Sequence, residues 1–218
     1  MRWDPFTTLR NALWIGGGQW AGKSTVAGIL AGRHGLTHYH YDYHDARGHL
    51  DRRTARRVRR GEPAVEPDPE SMWVRSTVEQ AVDAARSTFV ERFDYVQDDL
   101  RGLVSPHPII ADGWGLRPEL VAPLTSPRRM VVMVATEEFR EQQRLRLPRA
   151  GALRSDVSDP ALAQRNRIAR DRLLAEEAVR QAQQLDIRVI EVDGSRDAEA
   201  MADAVAEHFH EFLPPARA

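Results

Sequence analysis

The chain of 218 residues contains no cysteine. This absence excludes disulfide bonds, thiolate nucleophiles and cysteine-ligated zinc or iron–sulfur centres. Lysine is nearly absent too, because Lys23 is the only lysine among 31 lysine and arginine residues. A single lysine in an arginine-rich chain draws attention to the segment that carries it.

Net charge and long apolar runs are also lacking. The formal charge is −1, because 31 basic residues nearly balance 32 acidic ones, which gives no reason to expect a nucleic-acid partner. No apolar run approaches the ~20 residues of a membrane-spanning helix, and the polar start does not resemble a signal peptide. We therefore expect a cytoplasmic protein without a membrane partner, built as one domain over residues 1–218. No pattern indicates its oligomeric state.

Short apolar runs alternate with helical patterns along the chain. Strands are predicted at residues 12–15, 36–43, 107–112, 130–135 and 186–192, and helices at 24–33, 71–103, 137–147, from about 160 to 185, and 198–212. The charged, proline-containing segment 47–70 predicts a loop or loose helix and a connector. This alternation predicts an α/β fold with a parallel sheet covered on both faces. Ligands then bind at the carboxyl ends of the strands.

One segment carries a nucleotide-binding motif. Residues 17–24 fit G-x-x-x-x-G-K-[ST], between a predicted strand and a predicted helix. Glycines let consecutive backbone N–H groups point at one anion, and the helix start adds partial positive charge. We predict a nucleoside-triphosphate site formed by Gly17, Gly18, Gln19, Trp20, Ala21, Gly22, Lys23, Ser24 and Thr25.

Individual loop residues have separate expected roles. Lys23 is predicted to reach the β- and γ-phosphates, Ser24 to ligate Mg²⁺ and Thr25 to contact the α-phosphate. Trp20 is large for this loop. We expect its ring to pack on the neighbouring helix, and covering a ligand is the alternative.

The segment G-G-G-Q-W-A-G-K-S-T-V-A (residues 16–27) resembles the phosphate loop of nucleoside-monophosphate-kinase-like P-loop kinases, a group that includes shikimate and gluconate kinases. The later R-V-I-E-V-D-G-S (188–195) resembles their last strand and the loop beside adenine. The resemblance implies a three-layer P-loop NTPase fold with five parallel strands in the order 2-3-1-4-5 and a helical lid at about 137–160. It also implies ATP and Mg²⁺ as cofactors, with Asp193, Gly194 and Arg196 beside the base.

The resemblance is specific in the phosphate loop and architectural elsewhere. An N-K-x-D guanine-reading segment is missing from the sequence. Residues 112–115 match the D-x-x-G switch pattern of GTPases, but four residues are a weak signal. A kinase is therefore favoured over a switch GTPase.

Several acids follow predicted strands and therefore face the phosphate loop. Small-molecule kinases of the resembling group place an aspartate after the second strand, where it orients the acceptor hydroxyl and takes its proton. Asp42 is the first candidate and Asp45 the second; capping the next helix is the alternative for both. Asp112 ends the third strand in the manner of a Walker B acid, which holds Mg²⁺ near Ser24. The alternative is that Asp112 only caps the following turn.

Other polar side chains lie close to these acids in the sequence. Trp114 and Arg117 are predicted to contact the acceptor. His38, His40, Asp42 and His44 would share a face if the second strand continued. Zinc is disfavoured there, because successive same-face residues stand apart along a strand. The histidines are expected to line the substrate pocket or to be ordinary polar side chains.

Arginines are concentrated in the predicted lid. Arg140 and Arg144 share a helical face by i,i+4 spacing and are predicted to stabilise the transferred phosphoryl group. Arg149 lies nearest the loop and is predicted to bind ATP. A solvated charged face is the alternative, and it is the stronger interpretation for the later set Arg167, Arg170 and Arg172.

Together these features predict an ATP-dependent kinase of a small molecule, with the acceptor bound by residues 43–105. One alternative is a nucleoside-monophosphate kinase, in which Arg52, Arg53, Arg56 and Arg57 would clamp the acceptor phosphate. The other is a regulatory ATPase without an acceptor, in which residues 47–60 would form a partner surface. The acceptor's identity and the preference for ATP over GTP are not indicated by any motif.

Overall fold

A computed structural model describes residues 7–64, 68–103, 105–146 and 157–216. Its strands are β1 Leu13–Gly17, β2 Thr37–His40, β3 Ile109–Asp112, β4 Met130–Ala135 and β5 Arg188–Val192. They form one parallel sheet in the order β2-β3-β1-β4-β5. The predicted fold class and strand order are confirmed.

Helices cover both faces of this sheet. Their bounds are α1 Thr7–Asn11, α2 Lys23–His34, α3 Tyr41–His44, α4 Leu50–Arg59, α5 Val78–Gly102, α6 Pro118–Val121, α7 Glu137–Arg146, α8 Pro160–Gln184 and α9 Ala198–Phe209. Two π-helical turns, Asp45–His49 and Ser71–Arg75, and the 3₁₀ turn Pro127–Arg129 lie between them. No described helix combines the length and the apolar character that a bilayer crossing demands.

Both faces of β1 are buried, which explains its unbroken apolar run. Trp14 points to the layer of α1, α5 and α8, where it packs near Phe93. Leu13 and Ile15 point to the opposite layer, against α2 and α9. Burying each of these large side chains contributes about 2 kcal/mol, so the central strand is firmly held. The loop at its carboxyl end is therefore attached to a firmly held strand.

The second strand is shorter than predicted, because it ends at His40 and α3 begins at Tyr41. Tyr41 is fully buried against the loop after β3. A Cβ added at Gly115 would lie 2.4 Å from the Tyr41 ring, so only a glycine allows this approach. The strand does not continue past His40, so the face that its continuation would give His38, His40, Asp42 and His44 does not form, and the last two lie on a helix.

The predicted helix at 71–103 is divided. The π-helical turn ends at Arg75, and α5 starts after Thr77. Thr77 and Gln80 form a reciprocal capping box, which satisfies two backbone N–H groups and fixes the start of α5. Within the predicted loop or loose helix at 47–70, the structure has the regular helix α4.

Candidate active site

The phosphate loop joins β1 to α2 at the carboxyl edge of the sheet. Gly17 has a φ of 116°, and a Cβ there would lie 2.1 Å from the carbonyl oxygen of Met133. Gly22 has a φ of 73° and is the N-cap of α2. These two positions need glycine, because the left-handed region strains other residues. The motif therefore folds as a strand, a tight loop and a helix, as predicted.

Lys23 lies at the centre of this edge and is 5% exposed. Its Nζ donates a hydrogen bond to the carbonyl oxygen of Gly18 at 2.5 Å. Burial lowers the pKa of the ammonium group, and the negative charges of Asp42, Asp112 and Asp171 partly offset that effect. Carboxylates from α3, β3 and α8 thus surround the only lysine of the chain.

Asp112 is fully buried at the end of β3. Ser24 donates its hydroxyl hydrogen to Oδ2 of Asp112 at 2.5 Å. The two side chains that the sequence proposes as Mg²⁺ ligands are therefore in contact. Oxygen donors of this kind are the ones that Mg²⁺ prefers, so the pair fits the ion chemically.

Asp42 lies on α3, and its charge acts on Lys23. Burial raises the pKa of its carboxyl group, and the attraction of Lys23 opposes that shift. The backbone of Trp114 also acts against that rise. Among the described residues, Oδ1 of Asp42 has no hydrogen-bond partner although it is buried. This oxygen is therefore left for an additional donor.

The other predicted acid is engaged differently. Asp45 accepts from Arg53 at 2.8 Å and from Arg92 at 2.5 Å. Because both of its oxygens face arginines, Asp45 holds those side chains in place, and a direct contact with the acceptor has no support. Neither α3 nor the π-helical turn after it has a side-chain cap. The capping alternative for Asp42 and Asp45 therefore has no support either.

Trp114 and Arg117, predicted to contact the acceptor, have different surroundings. Trp114 is half-buried, and its ring packs edge-on against Phe89 at 5.1 Å. Arg117 is 2% exposed, and its Nη1 donates to the carbonyl oxygen of Leu174 at 2.8 Å. Trp114 can therefore form an acceptor wall, whereas Arg117 ties the loop after β3 to α8.

The surroundings of Trp114 include residues that the sequence did not indicate. Arg92 and Arg170 approach the Trp114 ring at 5.6 and 5.8 Å, and Arg170 also lies 4.5 Å from the Trp73 ring. Arg170 donates from Nε to Asp171 at 2.9 Å. The sequence favoured a solvated face for Arg170 and gave no signal for Arg92, Trp73 or Asp171, which belong to no motif.

The candidate arginines of α7 lie beside the phosphate loop. Arg140 and Arg144 line a cavity together with Trp20 and Arg167. Arg140 pairs with Glu137 at 2.7 Å, and Arg144 pairs with Glu141. The Arg144 pair is exposed and therefore weak, so its guanidinium group can turn toward a phosphate. Arg140 is mostly buried and also donates to the carbonyl oxygen of Ala135 at 3.2 Å, so it is held more firmly. Arg149 lies outside the described residues.

A second cavity, of about 500 Å³, lies on the other side of the loop. Gly194 and Arg196 line it with Thr25 and Phe139. Its size falls in the range of small-molecule sites. Asp193 does not line this cavity; it accepts from the backbone N–H and hydroxyl of Ser195 at 2.9 and 2.6 Å and shapes the turn. This cavity is where the resemblance places the nucleotide base.

The four arginines of the predicted phosphate clamp are paired with acids. Their partners are Asp98 and Asp99 for Arg52, Asp45 for Arg53, Glu91 for Arg56 and Glu62 for Arg57. Arg52 and Arg56 also stack on the Tyr95 ring. The contacts of Arg52 and Arg56 fix α4 to α5. Arg53 holds Asp45 in the π-helical turn, and the pair of Arg57 with Glu62 is local to the end of α4.

His44, His49 and Asp99 lie close enough together to hold a metal ion. Asp99, however, accepts from Tyr39 at 2.9 Å, from His49 at 2.7 Å and from Arg52 at 3.1 Å. A carboxylate with three donors, one of them cationic, is already satisfied. The cluster is a hydrogen-bond network that joins β2, α4 and α5.

The strand order, the parallel sheet and the glycine-rich loop after β1 together define the P-loop NTPase fold. Among solved structures, the chain is similar to the crystal structure of shikimate kinase from Aquifex aeolicus vf5. The sequence identity is 15% and the TM-score 0.45, over 91% of this chain and 96% of that chain. No protein-family model and no curated protein matches the chain. A likeness at this level bears on neither activity nor substrate.

Proposed function

We propose that the chain is an ATP-dependent kinase that transfers the γ-phosphate of Mg-ATP to a hydroxyl group of a small molecule. The observation that carries this proposal is the carboxylate of Asp42. It is buried near Lys23, and its Oδ1 has no partner among the described residues. An acid in this position can accept a hydrogen bond from an acceptor hydroxyl and then take its proton.

The electrostatics of the site support this role. Because burial raises the pKa of Asp42, its proton affinity is greater than that of an ordinary surface aspartate. Lys23 supplies the positive charge that offsets charge developing on the transferred group. Arg144 can add its guanidinium group once it leaves Glu141, whereas Arg140 must leave both Glu137 and the carbonyl oxygen of Ala135. Ser24 and Asp112 would hold Mg²⁺, which would supply positive charge to offset that of the phosphates.

Asp42→Asn tests the proposal, because it removes the base without changing the size of the side chain. Acceptor-dependent ADP release is expected to fall by about 10²- to 10⁴-fold, with little change in the KM for ATP. The matched control is Asp94→Asn, at an exposed position of α5. An Asp42→Asn variant that phosphorylates its acceptor at the wild-type rate would contradict the mechanism.

The alternatives have less support. A nucleoside-monophosphate kinase needs cations for the acceptor phosphate. Of the predicted clamp arginines, however, Arg53 is bound to the buried Asp45, and Arg52 and Arg56 are also stacked on the Tyr95 ring. A regulatory ATPase without an acceptor would show slow ATP hydrolysis that no hydroxyl compound stimulates. Screening sugars, cyclitols and nucleosides for stimulated ADP release separates that function from a kinase.

A further inference from the structure

A histidine from the neighbouring strand contacts the predicted magnesium acid. Nε2 of His38 lies 2.6 Å from Oδ1 of Asp112. Strands β2 and β3 pair so that His40 is opposite Asp112, and His38 reaches the carboxylate diagonally from two residues earlier. With its proton on Nε2, His38 donates to Oδ1, while Ser24 donates to Oδ2. Each oxygen of Asp112 therefore has its own partner.

The contact with His38 is not required to join the two strands. The backbones of β2 and β3 are paired over four residues, from Thr37 opposite Ile109 to His40 opposite Asp112. Thr37 adds a side-chain hydrogen bond to Ser105 at 2.6 Å. The role of the histidine must therefore be sought in what it does to the carboxylate.

Fixing one oxygen of a carboxylate fixes the direction of the other. Without a second partner, the carboxylate of Asp112 could rotate about its terminal torsion, which is broad. With Oδ1 held by His38, Oδ2 faces Ser24, the other expected ligand of the ion. Outer partners that orient metal-binding carboxylates commonly affect metal affinity strongly.

We propose that His38 is a positioning residue that orients Asp112 toward the magnesium ion of a bound nucleotide. This inference rests on the proposed function only in that the site binds Mg-nucleotide; it does not depend on the acceptor. The proposal gives β2 a second role. The strand leads into α3, which carries Asp42, and it also supplies a residue of the nucleotide site.

Nucleotide binding as a function of Mg²⁺ concentration tests the proposal without using turnover. A fluorescent ATP analogue is titrated into the full chain at several magnesium concentrations and in excess chelator. His38→Ala removes the donor, whereas His38→Gln keeps an N–H that can reach Oδ1. His107→Ala, at an exposed position before β3, is the control.

In His38→Ala, the magnesium concentration for half-maximal binding is expected to rise by about 10- to 100-fold. Binding in chelator should match the wild type, and His38→Gln should recover most of the loss. The Tm without nucleotide is expected to fall in His38→Ala and to recover in His38→Gln, because a fully buried carboxylate oxygen otherwise loses its donor. An unchanged magnesium requirement in His38→Ala would overturn the inference. An equal loss of binding with and without magnesium would also overturn it, because that result indicates a purely structural role.

The two proposals can fail separately. If the magnesium requirement shifts as expected but Asp42→Asn leaves acceptor phosphorylation unchanged, the kinase mechanism fails and the role of His38 stands. If Asp42→Asn abolishes phosphorylation and His38→Ala binds Mg-nucleotide normally, the kinase stands and the role of His38 is refuted.

Discussion

The ammonium group of Lys23 donates a hydrogen bond to the carbonyl oxygen of Gly18 at 2.5 Å. The only lysine of the chain is thus bonded to the loop that the motif assigns to phosphate binding. Phosphate oxygens can replace this carbonyl as the acceptor if the side chain turns by a small amount. The buried position that lowers its pKa also strengthens its electrostatic interaction with an anion.

Lys23→Ala is expected to lower turnover by about 10²- to 10³-fold, because a positioned charge at the transferred group is lost. The Tm of the Lys23→Ala variant, by contrast, is expected to change little. Burial is the largest influence on the Lys23 pKa and lowers it, so the charged group is costly in the folded state. Steady-state kinetics and thermal unfolding measure the two effects. Arg59→Ala, at an exposed position on α4, should change neither; a large fall in the Tm of Lys23→Ala would contradict the prediction.

The pH dependence of turnover should report Asp42. The group must be ionised to accept the acceptor's proton, so activity is expected to rise with pH as Asp42 loses its own proton. Because burial raises this pKa, the rising limb should lie above the ordinary aspartate value of about 3.9. The measurement is kcat/KM over the acidic and neutral range. If the rise of kcat/KM stays at the same pH in the Asp42→Asn variant, the titrating group is not Asp42.

The same substitution should make the protein more stable at neutral pH. A raised pKa means that the folded state binds the proton more tightly than the unfolded state. Stability therefore falls as the pH rises through the folded pKa of Asp42. Asparagine carries no charge, so Asp42→Asn is expected to have a higher Tm than the wild type at neutral pH. The gain should shrink as the pH falls through the folded pKa of Asp42 and be lost below the ordinary aspartate value. Asp94→Asn, at an exposed position, is the control.

The wall of the second cavity depends on a glycine. Gly194 has a φ of 85°, and a Cβ there would lie 2.7 Å from Cδ2 of Phe139. Gly194→Ala is expected to cost about 1–2 kcal/mol of stability from backbone strain alone, and to raise the KM for ATP by displacing the Phe139 ring. Gly32→Ala is the control, because that helical site is open and alanine should stabilise it by about 0.5–1 kcal/mol. Chemical denaturation and nucleotide titration measure both effects, and an unchanged KM would place the base elsewhere.

The sequence predicted the fold where local patterns decide it. β4 has the predicted bounds Met130–Ala135, since an isolated apolar run between polar segments leaves little choice. The end of β2 was missed because Tyr41 is buried against Gly113 and Gly115, far away in sequence. The break before α5 had a readable signal, since Thr77 and Gln80 have the spacing of a capping box.

The candidate site was predictable to the extent that motifs name its residues. The loop and the contact between Ser24 and Asp112 follow from the motif and from the strand order that the resemblance implied. The position of Asp171 near Lys23 does not follow from the motif or the strand order, because it depends on how α8 packs across the sheet edge. The sequence pattern could not distinguish the role of Asp45 from that of Asp42, because the arginine partners of Asp45 come from α4 and α5.

Trp20 has a φ of 64° inside the phosphate loop, a conformation that strains a bulky residue by about 1–2 kcal/mol. Arg167 from α8 lies 5.7 Å from its ring, so packing compensates for part of the strain. Replacing Trp20 with alanine keeps the backbone strain of the positive φ, whereas replacing it with glycine removes that strain. The Trp20→Gly variant is therefore expected to be more stable than Trp20→Ala by about 0.5–1 kcal/mol, the reverse of the usual order.

The neighbouring position gives a matched comparison for this prediction. Gln19 does not share the positive φ of Trp20. Gln19→Ala should therefore be more stable than Gln19→Gly, because glycine only adds freedom to the unfolded chain there. Chemical denaturation of all four variants without nucleotide measures the two differences. The same order at both positions would mean that Trp20 stores no backbone strain, and a reversal at Trp20 alone would locate the strain in the phosphate loop.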